Sequence, residues 1–208
     1  MFVPRREHAR FCSVACRVAW NLETHGDPAA EASALHWSIT AMSNAIERLR
    51  RARAGDSMQA LTMIGETVWL VTIVDATLVR YHPDVYDGVL AAQTGAEREL
   101  IEGTLAGLRF VRNRTGGEAD LAEFVGSIAS GPGAGTGRIT GWAWRSVPEP
   151  AVASQPPRGQ QWELARYRAY QEQLAGHTLG DTFGRAVAFL RQTAAEAPSI
   201  TDSANAAR

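Results

Sequence analysis

The most apolar stretch of the chain, Met58–Val79, places the strongest constraint on the fold, because most of its surface must be removed from water. Glu66 and Asp75 interrupt this stretch, and two carboxylates in a lipid-facing span would be costly. Pro83 prevents a helix from continuing beyond about Tyr81. The pattern therefore predicts a long core helix that is apolar on most of its circumference and surrounded by other elements.

A second long helix is predicted upstream, from Pro28 to about Arg53. Its apolar residues recur at spacings of three and four, at Ala32, Leu35, Ile39, Met42, Ile46 and Leu49. This is an a/d seam over nearly three heptads, and we expect a homodimer through the Ala32–Leu49 seam. Its last turns carry four arginines, which suit either the negative end of the helix dipole or a phosphate-contacting patch. They are Arg48, Arg50, Arg51 and Arg53.

The rest of the pattern predicts an all-α chain of five to seven helices, with one long Gly/Pro-rich loop and little or no sheet. Further helices are expected over 83–92, 96–114, 160–174 and 179–195, with a short one near 119–128. We divide the chain into a basic head (1–26), a main helical bundle (27–129), a Gly/Pro-rich loop (130–159), a C-terminal helical pair packing on the bundle (160–197) and a disordered tail (198–208). Within the loop, Ile139–Arg145 could form a short extended segment.

Composition limits the classes of function. The 208 residues carry a net charge of −1, so the chain lacks the global basic field of a histone-like nucleic-acid binder. Two cysteines are too few for a disulfide-stapled secreted domain. All 21 basic residues are arginine, which excludes a Schiff-base lysine and a phosphate-loop lysine. The N-terminal residues show no apolar signal-peptide segment, and we expect a cytoplasmic protein.

The basic head contains a cysteine pair in a distinctive setting, Arg10-Phe11-Cys12-Ser13-Val14-Ala15-Cys16-Arg17, preceded by Val3-Pro4-Arg5. This string resembles the second half of a treble-clef zinc finger, in which two cysteines lie at the start of a helix. Such fingers carry another cysteine pair a few residues upstream. Two thiolates do not complete a tetrahedral zinc site, and His8 and His25 could complete it. The alternative is two reduced cysteines that pack as small apolar residues.

A second resemblance lies at the end of the helix predicted over 96–114. Arg112-Asn113, in an all-helical chain, resembles the HEPN superfamily, whose members commonly carry arginine, a polar residue, a few further residues and then histidine. The resemblance implies RNA as a ligand and, in active members, cleavage by paired motifs. The expected histidine would fall at about Gly117 or Glu118 and is missing, so cleavage is not expected from this motif. The alternative is a helix end whose arginines pair with acids.

Two carboxylates and three tryptophans offer further candidates. Buried Glu66 and Asp75 would need partners, and Arg109 or Arg112 could pair with them. A structural ion pair is the preferred interpretation, and a polar ligand pocket is the alternative. Trp142, Trp144 and Trp162 could form a platform for bases, although such residues more often anchor a loop on a helical core.

These observations predict a non-catalytic protein that binds nucleic acid, with RNA favoured, or a protein partner. The candidate nucleic-acid contacts are Arg5, Arg6, Arg10, Arg17, Arg112 and Asn113, and the candidate zinc ligands are Cys12, Cys16 and His8. The second hypothesis is a structural or homodimerisation module that does not bind nucleic acid. The third is a HEPN-like ribonuclease in which Arg112 works with a histidine remote in sequence, such as His82.

Overall fold

A computed structural model describes residues 28–51, 57–114, 121–129, 138–151 and 156–197. The chain divides into a small unit of residues 1–37 with 198–208, of which residues 28–37 are described, and a larger unit of residues 38–197. The described residues form six helices and one two-stranded sheet. The elements are α1 (Pro28–Arg50), α2 (Ser57–Tyr81), α3 (Pro83–Ala91), α4 (Gly95–Arg114), β1 (Ala122–Ala129), β2 (Arg138–Trp144), α5 (Pro157–Gln173) and α6 (Leu179–Glu196). The prediction of an all-α fold is confirmed.

Local signals in the sequence set several helix boundaries. Pro83 occupies the first turn of α3, where its missing N–H costs nothing, and the same residue ends α2. Thr178 caps α6, because its Oγ1 accepts a hydrogen bond from the backbone N–H of Asp181 at 3.1 Å. These two boundaries agree with those expected from the sequence.

The prediction of a short helix near 119–128 is wrong, because the described residues 122–129 form strand β1 instead. β1 pairs antiparallel with β2, Ala122 opposite Trp144, and the register shifts between Val125 and Ile128. β1 contains Phe124, Val125 and Ile128, which favour strands, and Gly126 weakens a helix at its centre. The extended segment expected at 139–145 is confirmed as β2. The segment has no clear local preference for helix or strand, and its pairing with β2 stabilises the strand.

The core of the larger unit lies where α2, α4, α5 and α6 pack together. α4 and α5 come into close contact at Gly107. A β-carbon at this position would lie 2.6 Å from Leu174 Cδ1 and 3.2 Å from Tyr170 Cα. The close packing of the two helices therefore depends on the absence of a side chain at residue 107.

α2 is the central helix, but it is not surrounded as the sequence predicted. One face is fully buried, at Val68, Val71, Val74 and Leu78. The other face is open, and Trp69 and Val79 are 49% and 44% exposed. Residues 59–81 are long and apolar enough to cross a membrane, a test that the core helix of a soluble protein also meets. The open face matters for function because it displays a tryptophan between polar neighbours.

Candidate nucleic-acid interface

An ion pair between the buried Asp75 and the partly exposed Arg109 links α4 to α2. Asp75 on α2 is 1% exposed, and Arg109 on α4 donates from Nε to its Oδ2 at 2.8 Å and from a terminal nitrogen to the same oxygen. The hydroxyl of Tyr86 on α3 donates to Oδ1 at 2.9 Å. The predicted structural ion pair of Asp75 with Arg109 is confirmed. Both carboxylate oxygens are satisfied, so the network holds three helices at one point.

Tyr86 is locked in its neutral form by this environment. Burial raises the pKa of the Tyr86 hydroxyl well above its ordinary value, and the nearby charge of Asp75 raises it further, while Arg109 opposes the shift. The ring also packs edge-on against Phe189 of α6, with the centroids 5.0 Å apart. The network is therefore a structural clamp whose donor stays protonated at neutral pH.

Glu66 was expected to be buried, and that expectation is wrong. It lies on the exposed face of α2 and forms an ion pair with Arg48 of α1, both side chains being nearly half exposed. Arg50 and Arg51, which follow in the same helix, pair with Glu47. Arg53 lies outside the described residues. Exposed pairs of this kind contribute about 0–1 kcal/mol, so a ligand's phosphate can compete for these arginines.

The candidate motif residue Arg112 lies one turn beyond Arg109 on α4 and faces α2. Its guanidinium carbon lies 4.3 Å from the centroid of the Trp69 ring. Arg112 is half-buried, whereas Trp69 is 49% exposed and the adjacent Asn113 is exposed. We call Trp69, Arg112 and Asn113 the Trp69 platform. It combines a planar cation over a half-exposed aromatic ring with the amide of the next residue on α4, and the network of Asp75, Arg109 and Tyr86 positions the helix that carries Arg112 and Asn113.

Trp69 was missed by the sequence analysis, although a signal for it exists. Polar or small residues recur along α2 at spacings close to those of one helical face, at Gln59, Thr62, Glu66, Ala76 and Arg80, and each of these is exposed. Trp69 follows Glu66 by three residues and therefore lies on the same stripe. This stripe is hard to recognise in the sequence, because α2 is apolar on average and only a few polar residues mark the exposed face.

The three-tryptophan platform considered from the sequence is not formed. Trp142 and Trp144 are buried, and Trp144 Nε1 donates to Thr182 Oγ1 of α6 at 2.8 Å. The backbone N–H of Trp144 also donates to the carbonyl of His177 at 3.0 Å, which ties β2 to the turn before α6. Trp162 of α5 is 55% exposed, with Arg158 over its ring at 5.0 Å. The preferred interpretation, that tryptophans anchor the loop on the core, is confirmed for Trp144.

The remaining candidates of the basic head lie outside the described residues. These are Arg5, Arg6, Arg10 and Arg17 as nucleic-acid contacts, and His8, Cys12 and Cys16 as zinc ligands. Their roles stay predictions. Within the parts of the chain that the structure describes, no group of three or more His, Cys, Asp or Glu side chains could hold a metal ion.

The apolar seam of α1 is largely covered by its own chain. Met42, Ala45, Ile46 and Leu49 are 0–8% exposed in the single chain. A homodimer through Ala32–Leu49 stays a prediction, and these four side chains would have to be uncovered to contribute to it.

Comparison with protein-family models, curated proteins and solved structures finds no match for this chain.

Proposed function

We propose that the protein binds nucleic acid without cleaving it, with single-stranded RNA favoured, and that the Trp69 platform is its contact surface. The observation that carries this proposal is the guanidinium of Arg112 at 4.3 Å from the ring centroid of a half-exposed tryptophan. An aromatic side chain left half-exposed to water costs solvation free energy, and a stacking ligand would recover it.

The three side chains supply the contacts that an unpaired nucleotide offers. A base can stack on the open part of the Trp69 ring, a contact that typically contributes about 1–3 kcal/mol. The guanidinium of Arg112 can donate two parallel hydrogen bonds to a phosphate, and the amide of Asn113 can donate to or accept from a base edge. RNA is favoured because unstacked bases are its usual recognition feature and because Arg112-Asn113 resembles the HEPN motif.

The ribonuclease hypothesis finds less support from the same geometry. It requires a histidine near Arg112, and His82 was its candidate. His82 follows the end of α2, thirteen positions after Trp69, which corresponds to roughly 20 Å along a helix. A general acid or base must reach its proton within hydrogen-bonding distance or through one water. The separation therefore favours binding over cleavage by this pair.

Fluorescence anisotropy with a labelled single-stranded RNA tests the proposal. Trp69→Ala and Arg112→Gln should each weaken binding about tenfold or more, because each removes one contact of the platform. Trp162→Ala and Arg158→Gln are matched controls, since they alter a second exposed arginine–tryptophan pair on α5. Wild-type affinity should also fall steeply with salt.

The control variants show whether RNA binds specifically at the Trp69 platform or at any exposed arginine–tryptophan pair. If the Trp162 and Arg158 variants lose as much RNA affinity as the Trp69 and Arg112 variants, the platform is not the contact surface. Unchanged affinity in the Trp69 and Arg112 variants would also contradict it. If wild-type protein shifts neither RNA nor duplex DNA, the nucleic-acid proposal is wrong. Capture of protein partners is then the next experiment.

A further inference from the structure

A cleft of about 300 Å³ lies between α1 and α6 within the larger unit. Gly184, Val187 and Ala188 of α6 line one wall, and Ile46 of α1 lines the other. At Gly184 a β-carbon would meet no atom within 4 Å, so the space beside it is open. This part of the cleft is apolar and has the size of a site for a small organic molecule.

Two arginines, Arg50 of α1 and Arg191 of α6, line the same cleft. A terminal nitrogen of Arg191 donates to Ser43 Oγ at 2.7 Å, and that hydroxyl in turn donates to the carbonyl of Ile39 at 2.7 Å. Among the described residues, the neutral Ser43 hydroxyl is the acceptor that holds Arg191. A guanidinium has five N–H donors, so most of those on Arg191 remain for a ligand. In the described parts of the chain no carboxylate forms an ion pair with Arg191.

Glu47 is the acidic residue of the cleft, and its charge is already compensated. Arg51 contacts Glu47 at 2.9 Å, and Arg50 lies 3.9 Å from its other oxygen, beyond hydrogen-bonding distance. Arg50 is 63% exposed at its side chain. Glu47, Arg50 and Arg191 line the cleft, and Arg51 contacts Glu47; together these four groups carry a net charge of +2, which a dianion would balance.

We propose that this cleft binds a small organic phosphate. The phosphate lies between the guanidinium groups of Arg50 and Arg191, and the organic part contacts Ile46, Val187 and Ala188. Two arginines on opposite helices can each donate to a different oxygen pair of a phosphate monoester, which offers three oxygens and nearly two negative charges. This site is separate from the Trp69 platform, so it stands or falls independently of nucleic-acid binding there.

Isothermal titration calorimetry of the full chain with hexyl phosphate, inorganic phosphate and hexanol tests the site. Hexyl phosphate should bind at least tenfold more tightly than either fragment, because only it uses both the arginines and the apolar wall. Arg191→Gln should weaken its binding tenfold or more by removing the charge. Gly184→Leu should weaken it similarly by filling the cleft while leaving both arginines in place. Arg168→Gln, an exposed arginine of α5, is the control and should change nothing.

Circular dichroism of each variant separates loss of binding from loss of fold. Phosphatidic acid vesicles in a flotation assay distinguish the two sources of a phosphate ester. Flotation lost in Arg191→Gln assigns a lipid headgroup, and binding of soluble hexyl phosphate without flotation assigns a soluble ligand. The proposal is overturned if no phosphate probe binds. It is also overturned if folded Arg191→Gln and Gly184→Leu proteins bind hexyl phosphate as tightly as the wild type does.

Discussion

Asp75 is the single residue on which the arrangement of α2, α3 and α4 depends most. Its carboxylate is almost completely removed from water, Arg109 compensates its charge, and the neutral hydroxyl of Tyr86 donates a hydrogen bond to its other oxygen. Replacing a buried pair by apolar residues is often tolerated, whereas removing one partner leaves an uncompensated buried charge. Replacing one partner of the network should therefore destabilise the protein more than replacing both.

Arg109→Met should lower the free energy of unfolding by about 1–3 kcal/mol, because the almost fully buried Asp75 loses its cationic partner, while the 36% exposure of Arg109 keeps the loss below that of a fully buried pair. The double variant Asp75→Asn with Arg109→Met should recover part of this loss, since the neutral amide still accepts from Tyr86. Urea unfolding of the wild type and of the variants measures both effects. If Arg109→Met lowers the free energy of unfolding by less than about 1 kcal/mol, the ion pair of Asp75 and Arg109 does not hold α4 to α2.

Alkaline pH should destabilise the protein through its buried tyrosines. Burial raises the pKa of both Tyr86 and Tyr170 above the ordinary value of about 10. Above that pH the unfolded chain loses these two protons while the folded chain keeps them. The contribution of the two tyrosines to the free energy of unfolding is therefore fully present below pH about 10 and is lost as the pH rises further.

The decline should have a slope of about 1.4 kcal/mol per pH unit for each such tyrosine. Tyr86→Phe, although less stable at neutral pH, should show a shallower slope by that amount in urea unfolding measured at several alkaline pH values. An unchanged slope would mean that Tyr86 ionises equally well in the folded protein.

Among the helices, the close contact of α4 with α5 depends on the absence of a side chain at Gly107. A methyl group there would overlap Leu174 and crowd the backbone of Tyr170, which cannot move without shifting α5. Gly65, in the interior of α2, is the opposite case, because a β-carbon there would meet nothing within 4 Å.

Gly107→Ala should therefore destabilise the protein by about 1–3 kcal/mol, and Gly65→Ala should stabilise it by about 0.5–1 kcal/mol through helix propensity. Thermal unfolding of the two variants beside the wild type gives the sign of each change directly. Stabilisation by both substitutions would refute the close packing of α4 on α5.

The helices were predictable because their signals are local. Pro83 ends one helix and begins the next, and Thr178 caps α6 with its own side chain. β1 was not predictable in the same way, since its partner β2 is separated from it by the residues 130–137. Cross-strand pairing overrides a weak helical preference, and single-sequence patterns carry no information on that pairing.

For the complete chain, the candidate interface was predicted only in part. Arg112 and Asn113 were found from a short motif, and the pairing of Asp75 with Arg109 followed from the cost of burying a charge. Trp69 was not found, because its exposure depends on which face of α2 the other helices leave open. Contacts with elements distant in sequence determine which face of α2 is exposed, and the hydrophobicity pattern of α2 alone does not predict that face.

The most direct test of the proposed binding surface is to map where RNA touches the protein. Ultraviolet cross-linking to single-stranded RNA, followed by trypsin and mass spectrometry, suits this chain because it lacks lysine and trypsin cuts only after arginine. Complete digestion places Trp69 as the only aromatic residue in the peptide 54–80, while Trp162 falls in 159–166. We expect the principal cross-link in peptide 54–80, and we expect Arg112→Gln to reduce it. RNA that cross-links to other peptides and leaves 54–80 unmodified would contradict binding at the Trp69 platform.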